Sequence, residues 1–387
     1  MIKRIIAIFI VTILIATCFA GCSEESEIYL ASAVDEMPRY FDPQVSSSTS
    51  EKIVAVNIFD GLFKLDENGE PQKCMVKDYK VSADGLVYTF YLKENMKYYI
   101  SGEVKAFLEE NEKAIEGRVT AKDFVFGITR AILPETNSQN YGLLSNIKNA
   151  DKVHNGEASP NELGIKAIND YTLEITLEEK TTDFLYSLSQ PVSFPCDEEF
   201  FNLTEGRYGL DEEYIISNGC FYLSDIKDGE SVRFSKNEEY AGDFATTVTS
   251  VRLHVNSDQI DIAKKVDDKT YDLGFFASEE AIDELGRKTQ KTNIENITTA
   301  LVFNMNKQAL QNVKLRTGLV GSIDFATITE SKITNLVPSG YKMSGGKVET
   351  VSYNIENARK NISVNAQIIS ERLAMIPTEW KTEIFCY

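Results

Sequence analysis

Strict alternation of apolar and polar positions marks the candidate strands of this chain. In Leu86-Val87-Tyr88-Thr89-Phe90-Tyr91-Leu92-Lys93 one face carries Leu86, Tyr88, Phe90 and Leu92, directly after the turn pair Asp84-Gly85. Tyr171 to Glu178 alternates more cleanly still, polar at every second residue. Period two of this kind predicts strands with one buried face. Ser231 to Phe234, Val251 to Val255 and Ala300 to Met305 repeat the habit. Helical spacing appears between them. Thr120 and Asp123 form a capping-box-like start, Phe124, Ile128, Ala131 and Ile132 then share one face, and Pro134 ends the run. Strands and helices mix without the regular alternation of a βαβ barrel, which predicts α+β or α/β lobes. No internal repeat interrupts the pattern.

The N-terminus departs from this globular texture. A basic start at Lys3-Arg4 precedes an apolar run from Ile5 to Ala16, too short to span a bilayer comfortably, and then Phe19-Ala20-Gly21-Cys22. Residues 1–21 are therefore expected to be a secretory signal. A cysteine directly after Ala-Gly resembles the bacterial lipobox, so Cys22 is the expected site of lipidation and residues 22–27 a polar tether. Acyl chains hold a soluble domain at a membrane, and the expectation is an extracytoplasmic, lipid-anchored protein of the bacterial cell membrane. Composition agrees with a folded chain: 387 residues, 43% hydrophobic and 26% charged, are ample for more than one domain. The net charge of −19 argues against nucleic acid as a partner, because a polyanion requires a basic face. Cys74, Cys196, Cys220 and Cys386 remain after Cys22, too few and too scattered for a disulfide scaffold.

Catalytic signatures do not appear. His154 and His254 are the two histidines, in polar and unrelated contexts, and they read as surface or structural residues rather than metal ligands. No nucleophile elbow, phosphate-cradling loop or dinucleotide fingerprint is present. The acidic pairs Glu109-Glu110, Glu178-Glu179 and Glu212-Glu213 read as solvated faces. No catalytic residue, metal site or cofactor is assigned, and an exported chain of this kind is most simply a binder rather than an enzyme.

A family resemblance enters at specific residues. Phe41-Asp42-Pro43 is similar to an N-terminal Leu-Asp-Pro. Asn57-Ile58-Phe59-Asp60-Gly61-Leu62-Phe63 is similar to Leu-Phe-Glu-Gly-Leu, and Val81-Ser82-Ala83-Asp84-Gly85-Leu86 to Ser-x-Asp-Gly-Leu. Val119-Thr120-Ala121-Lys122-Asp123-Phe124 is close to Val-Thr-Ala-x-Asp-Phe, and Leu163 to Leu173 follows Leu-Gly-Val-Lys-Ala-x-Asp-Asp-x-Thr. Ser217-Asn218-Gly219-Cys220-Phe221 and Ser235-Lys236-Asn237-Glu238-Glu239-Tyr240 complete the order. Together they resemble the extracytoplasmic solute-binding proteins of peptide-type ABC transporters, the oligopeptide/dipeptide-binding family 5. Most of these motifs read as scaffold: Thr120 and Asp123 as a helix cap, and Gly61, Gly85 and Gly219 as turns whose backbone angles favour glycine.

The resemblance implies a two-lobed periplasmic-binding-protein-like fold with a small extra domain on lobe I. Residues 28–59 and 184–299 would form lobe I, 60–183 the extra domain, and 300–387 a partial lobe II. It implies capture of oligopeptides, largely through main-chain hydrogen bonds, and delivery to the permease subunits of an ABC importer. Carried over by motif, Ser47, Ser48 and Thr49 lie where lobe I approaches ligand, Tyr141 is the extra domain's pocket aromatic, and Trp380 is a ligand-side tryptophan. Nickel, haem or sugar binding on the same scaffold, or a non-functional copy, are the alternatives. Whether Cys196 and Cys220 bridge or remain two buried thiols stays open. The chain departs from the pattern in two places. Lys105 to Glu116 reads as an amphipathic surface insertion, and the match fades after Tyr341, leaving the second lobe incomplete.

Overall fold

The computed structural model describes residues 27–276, 278–286, 289–291 and 307–321. The chain divides into two compact units, Met1–Thr289 and Gln290–Tyr387. Among the described residues of the first unit, two four-stranded sheets carry the architecture. In one, β1 (Tyr29–Val34) pairs in parallel with β10 (Ser250–Val255), which continues antiparallel through β9 (Ser231–Lys236) to β8 (Phe221–Lys227). In the other, β4 (Val76–Val81), β5 (Val87–Leu92), β7 (Thr172–Thr176) and β6 (Ile165–Asn169) are antiparallel throughout, in that order. A two-stranded ribbon, β2 (Phe63–Leu65) with β3 (Pro71–Lys73), forms a separate ladder whose Phe63 ring packs on Tyr79 and Phe90 of the second sheet.

The alternating patterns land where expected. Tyr88, Phe90 and Leu92 of β5, with Leu173 and Ile175 of β7, are buried, while Thr172, Glu174 and Thr176 are half-buried. The expected strands at Ser231–Phe234 and Val251–Val255 fall within β9 and β10. The expected strand at Ala300–Met305 lies outside the described residues. Before β5, Gly85 takes φ +78°, a left-handed angle at which a side chain is strained. Gly61 and Gly219 correct the turn reading, since neither has a positive φ. Space decides instead. A Cβ on Gly61 would lie 2.5 Å from the Phe194 ring, and one on Gly219 would lie 2.6 Å from the backbone carbon of Ile58.

Three helices matter for the candidate site. Helix α1 (Thr49–Ile58) follows the serine run, α2 (Gly102–Glu110) occupies the unmatched insertion, and α3 (Ala121–Ile132) follows Thr120. The Thr120 cap forms as its sequence predicts. Asp123 Oδ2 accepts the Thr120 backbone N–H at 2.6 Å, and the Thr120 hydroxyl accepts from Lys122 N. Helix α2 is amphipathic but is more than a surface insertion: Val104, Phe107 and Leu108 join the main core, and the Phe107 ring meets Phe200 and Tyr214 edge-on. That core runs from Leu62 to Ile216, so the helical stretch after Phe184 packs into the same apolar mass as the second sheet. A second core, from Val34 to Leu253, lies under the first sheet. In the second unit the described residues form a 3-10 turn, Gln308–Gln311, and helix α9 (Val313–Gly321), joined where Arg316 donates to the Leu310 carbonyl.

Candidate functional site

Helix α1 begins with a capping box built on the serine run. The Ser48 hydroxyl accepts from Glu51 N at 3.3 Å, and Glu51 Oε2 accepts from Ser48 N at 3.0 Å and Ser47 N at 2.7 Å. Glu51 Oε1 also accepts from Arg39 N. One buried carboxylate thus satisfies donors that a helix start otherwise leaves open. Ser47 and Thr49 are exposed and Ser48 is half-buried. The Ser48 hydroxyl is therefore occupied with its own helix, and the exposed residues of the run are Ser47, whose hydroxyl donates to Glu51 Oε2 at 3.4 Å, and Thr49.

Upstream, the chain is held by a buried guanidinium. Arg130, on the inward arc of α3, donates to Asp42 Oδ2 at 2.6 Å, to Gln44 Oε1 at 3.0 Å and to Cys196 Sγ at 3.3 Å. Its plane lies over the Phe201 ring, 3.9 Å from the centroid. Burial opposes the charge most strongly, but Asp42, with Cys196 and Tyr208 beside it, holds the Arg130 pKa above its usual value. Asp42 also folds the loop on itself: Oδ1 accepts from Gln44 N, and its carbonyl accepts from the Ser46 hydroxyl. Gln44 Nε2 donates to the Phe194 carbonyl. Two glycines admit this packing. A Cβ on Gly127 would lie 2.5 Å from the Phe194 oxygen, and one on Gly209, at φ +73°, 2.4 Å from Asp42 N. Cys196 is fully buried here, and burial pushes its thiol up to about 12 despite Arg130. Cys196 and Cys220 are both free, so they are two buried thiols.

The structure brings Tyr141 beside the same loop. Ser138 donates to the Gln44 carbonyl at 2.6 Å, and Asn140 Nδ2 donates to the Ser46 carbonyl at 2.7 Å. Tyr141 follows in a 3-10 turn, Tyr141–Leu144, and is half-buried. Ser47, Ser48, Thr49 and Tyr141, 92 or more positions apart in sequence, therefore share one neighbourhood. Trp380 and Cys22 lie outside the described residues. Sequence reasoning missed Arg130, Gln44, Ser138 and Asn140. Arg130 had left a trace, since it is the one basic residue among the buried positions of α3, seven after the buried Asp123. The polar residues gave none, because their partners are distant backbone atoms.

Elsewhere, two of the three acidic pairs are solvated as expected, but Glu212-Glu213 is half-buried and Glu212 Oε2 is buried without a hydrogen bond. Burial, with Asp211 alongside, pushes the Glu212 carboxyl up. Among the described residues no group of three or more His, Cys, Asp or Glu side chains is placed to hold a metal ion. No described helix is long and apolar enough to cross a membrane.

An anchored loop thus brings a short hydroxyl run to the neighbourhood of an aromatic turn, in a chain built on two antiparallel-rich sheets. Residues 70–363 match the model for bacterial extracellular solute-binding proteins, family 5 middle region, and the chain belongs to that family. It is 30% identical over 215 residues to the dipeptide-binding protein of Lactococcus lactis subsp. cremoris, covering 56% of this chain and 36% of that protein. It is 28% identical over 264 residues to the oligopeptide-binding protein SarA of Streptococcus gordonii, covering 65% and 38%. The matches thus span less than two fifths of the length of these curated relatives. Listeria monocytogenes OppA bound to peptide superposes with a TM-score of 0.68 at 23% identity, over 89% of this chain and 69% of that one. The fold is that of the periplasmic-binding-protein type, with mixed α and β structure.

Proposed function

We propose that this chain is the substrate-binding component of an ABC importer, capturing oligopeptides outside the cytoplasm and delivering them to the membrane permease. Membership of family 5 over residues 70–363 carries the reading, and the named relatives bind dipeptides or oligopeptides. The site chemistry supports it. An extended peptide is recognised chiefly through its main chain, and small hydroxyls at Ser47 and Thr49 suit that task because they donate and accept without selecting a side chain. Water between peptide and pocket completes such hydrogen bonds at little cost. Trp380 enters the proposal as a ligand-side tryptophan by family resemblance alone. Binding needs no cofactor and involves no chemical step.

Lipid attachment at Cys22, after removal of residues 1–21, places the binder at the outer surface where released peptides meet the permease. Cys22→Ala should abolish membrane partitioning, and an unchanged fractionation would remove the anchor from the proposal. The ligand class is tested by calorimetric titration with a pooled tri- to pentapeptide library. A saturable heat is expected. Silence with peptides and a saturable response to nickel, haem or a sugar would transfer the site to another solute.

A further inference from the structure

Tyr141 does not stand alone in its turn. Its ring lies flat on the imidazole of His154, with centroids 3.7 Å apart and planes 8° from parallel, the closest and flattest ring pair among the described residues. His154 ends helix α4 (Ala150–His154) and is itself half-buried. Its Nδ1 sits 2.8 Å from the carbonyl oxygen of Ile132, the last residue of α3. A carbonyl only accepts, so Nδ1 carries the proton and the ring's orientation is set by that bond. Ile132 is one of the terminal carbonyls that a helix cannot satisfy internally. The imidazole thus takes up a helix-end acceptor with its edge and supports Tyr141 with its face. From the opposite direction Asn140 ties the turn to the Ser46 carbonyl.

We infer that His154 is a positioning residue that fixes the Tyr141 ring as an aromatic platform for the bound peptide, an inference resting on the peptide-binding reading above. The stack covers one face of a half-buried tyrosine, in a turn that Asn140 ties to the Ser46 carbonyl, one residue before Ser47. A ring already immobilised by its neighbour loses little freedom when ligand arrives, which strengthens binding without adding a contact. An aromatic platform takes planar or apolar peptide side chains in offset or edge-on packing. The role of His154 was not visible from the sequence, where it stands in the polar stretch Asp151-Lys152-Val153-His154-Asn155.

Two measurements on the full chain test this separately. In ligand-free protein with 13C-labelled tyrosine, the Tyr141 ring signal is assigned by its loss in Tyr141→Phe. Its relaxation should report a rigid ring in wild type and in His154→Phe, which keeps the aromatic face. In His154→Ala the ring should become mobile. Titration with the tri- to pentapeptide pool should then show about three- to tenfold weaker binding in His154→Ala, the loss of one aromatic pair expressed as affinity. His154→Phe should largely restore it. His154→Asn, which keeps a donor for Ile132 but no ring, should not. A Tyr141 ring equally rigid in His154→Ala overturns the inference. So does unchanged affinity, or rescue by asparagine rather than phenylalanine. If wild type binds no peptide, the peptide reading falls by itself, and ring order alone still decides whether His154 positions Tyr141.

Discussion

Asp42 and Asp60 bracket helix α1, both almost fully buried, and the chain holds them by different means. Asp42 meets a guanidinium that also grips Gln44 and Cys196, so one planar cation organises the loop leading to the proposed ligand-side hydroxyls. Asp60 meets mostly neutral donors. Its Oδ2 accepts from the Tyr240 hydroxyl at 2.5 Å, its backbone exchanges two hydrogen bonds with Asn218, and Lys64 reaches Oδ1 at 3.2 Å from a partly exposed position. Burial and Asp60 together push the Tyr240 hydroxyl's pKa well up, so it remains a donor. The guanidinium end fixes the orientation of several loop groups at once, because its donors form a rigid fork. The tyrosine end fixes one point and clamps scaffold to scaffold. An oriented loop at the first end and simple cohesion at the second follow from that difference.

The largest expected effect comes from breaking the first end. Arg130→Ala leaves the Asp42 carboxylate buried without a cation and should cost about 3–5 kcal/mol of stability. Denaturant unfolding measures it, and a loss no greater than that of a surface arginine would show that Asp42 is not held this way. Tyr240→Phe at the second end should cost less, about 1–3 kcal/mol, because only a neutral donor is removed from Asp60 and Lys64 remains. Equal losses at the two ends would erase the distinction.

A third buried carboxylate sharpens it. Asp123 forms no ion pair among the described residues, and burial pushes its carboxyl up to about 7 in spite of the two hydrogen bonds from Thr120. A raised acid contributes stability that is fully present below its ordinary value of 3.8 and is lost as pH rises through about 7. Thermal unfolding between pH 4 and pH 8 should therefore fall more steeply in wild type than in Asp123→Asn, whose amide oxygen still accepts from Thr120. Parallel curves would show that the cap carboxylate titrates normally. The smallest effect is kinetic. Cys196 beside Arg130 and Cys74 near Asp60 both have thiols pushed up by burial, so neither should react with a thiol reagent in the native protein at pH 8. Rapid labelling of one alone would mark its end of α1 as the looser.

Legibility in the sequence tracked the range of the interaction. Period-two runs gave β5 and β7, and Thr120 with Asp123 gave the start of α3, because each depends on neighbours in the chain. The ordered motifs from Asp42 to Tyr240 identified the family and with it the fold. Ser47, Ser48, Thr49 and Tyr141 came from that resemblance, and their shared neighbourhood rests on Asn140 reaching the Ser46 carbonyl, a contact between a side chain and a distant backbone atom. Such contacts leave no spacing to read. Gly61 and Gly219 carried the opposite lesson: the residue type was informative, but close approach to Phe194 and Ile58, not a turn angle, was the reason. The core position of Phe107 and Leu108 was hidden because an insertion without a family counterpart has no pattern to place it.

In the proposed reading the Arg130 end of α1 supports ligand binding and the Asp60 end does not. The most direct measurement is titration of the peptide pool into wild type, Arg130→Lys and Tyr240→Phe, each at a temperature where the protein is fully folded. Lysine keeps the charge but cannot hold Asp42 and Gln44 in one fork. Arg130→Lys should therefore bind peptides about tenfold or more weakly, the equivalent of one lost charge-assisted contact, while Tyr240→Phe binds as wild type does. Equal affinities in all three proteins, or a greater loss in Tyr240→Phe, would contradict the account.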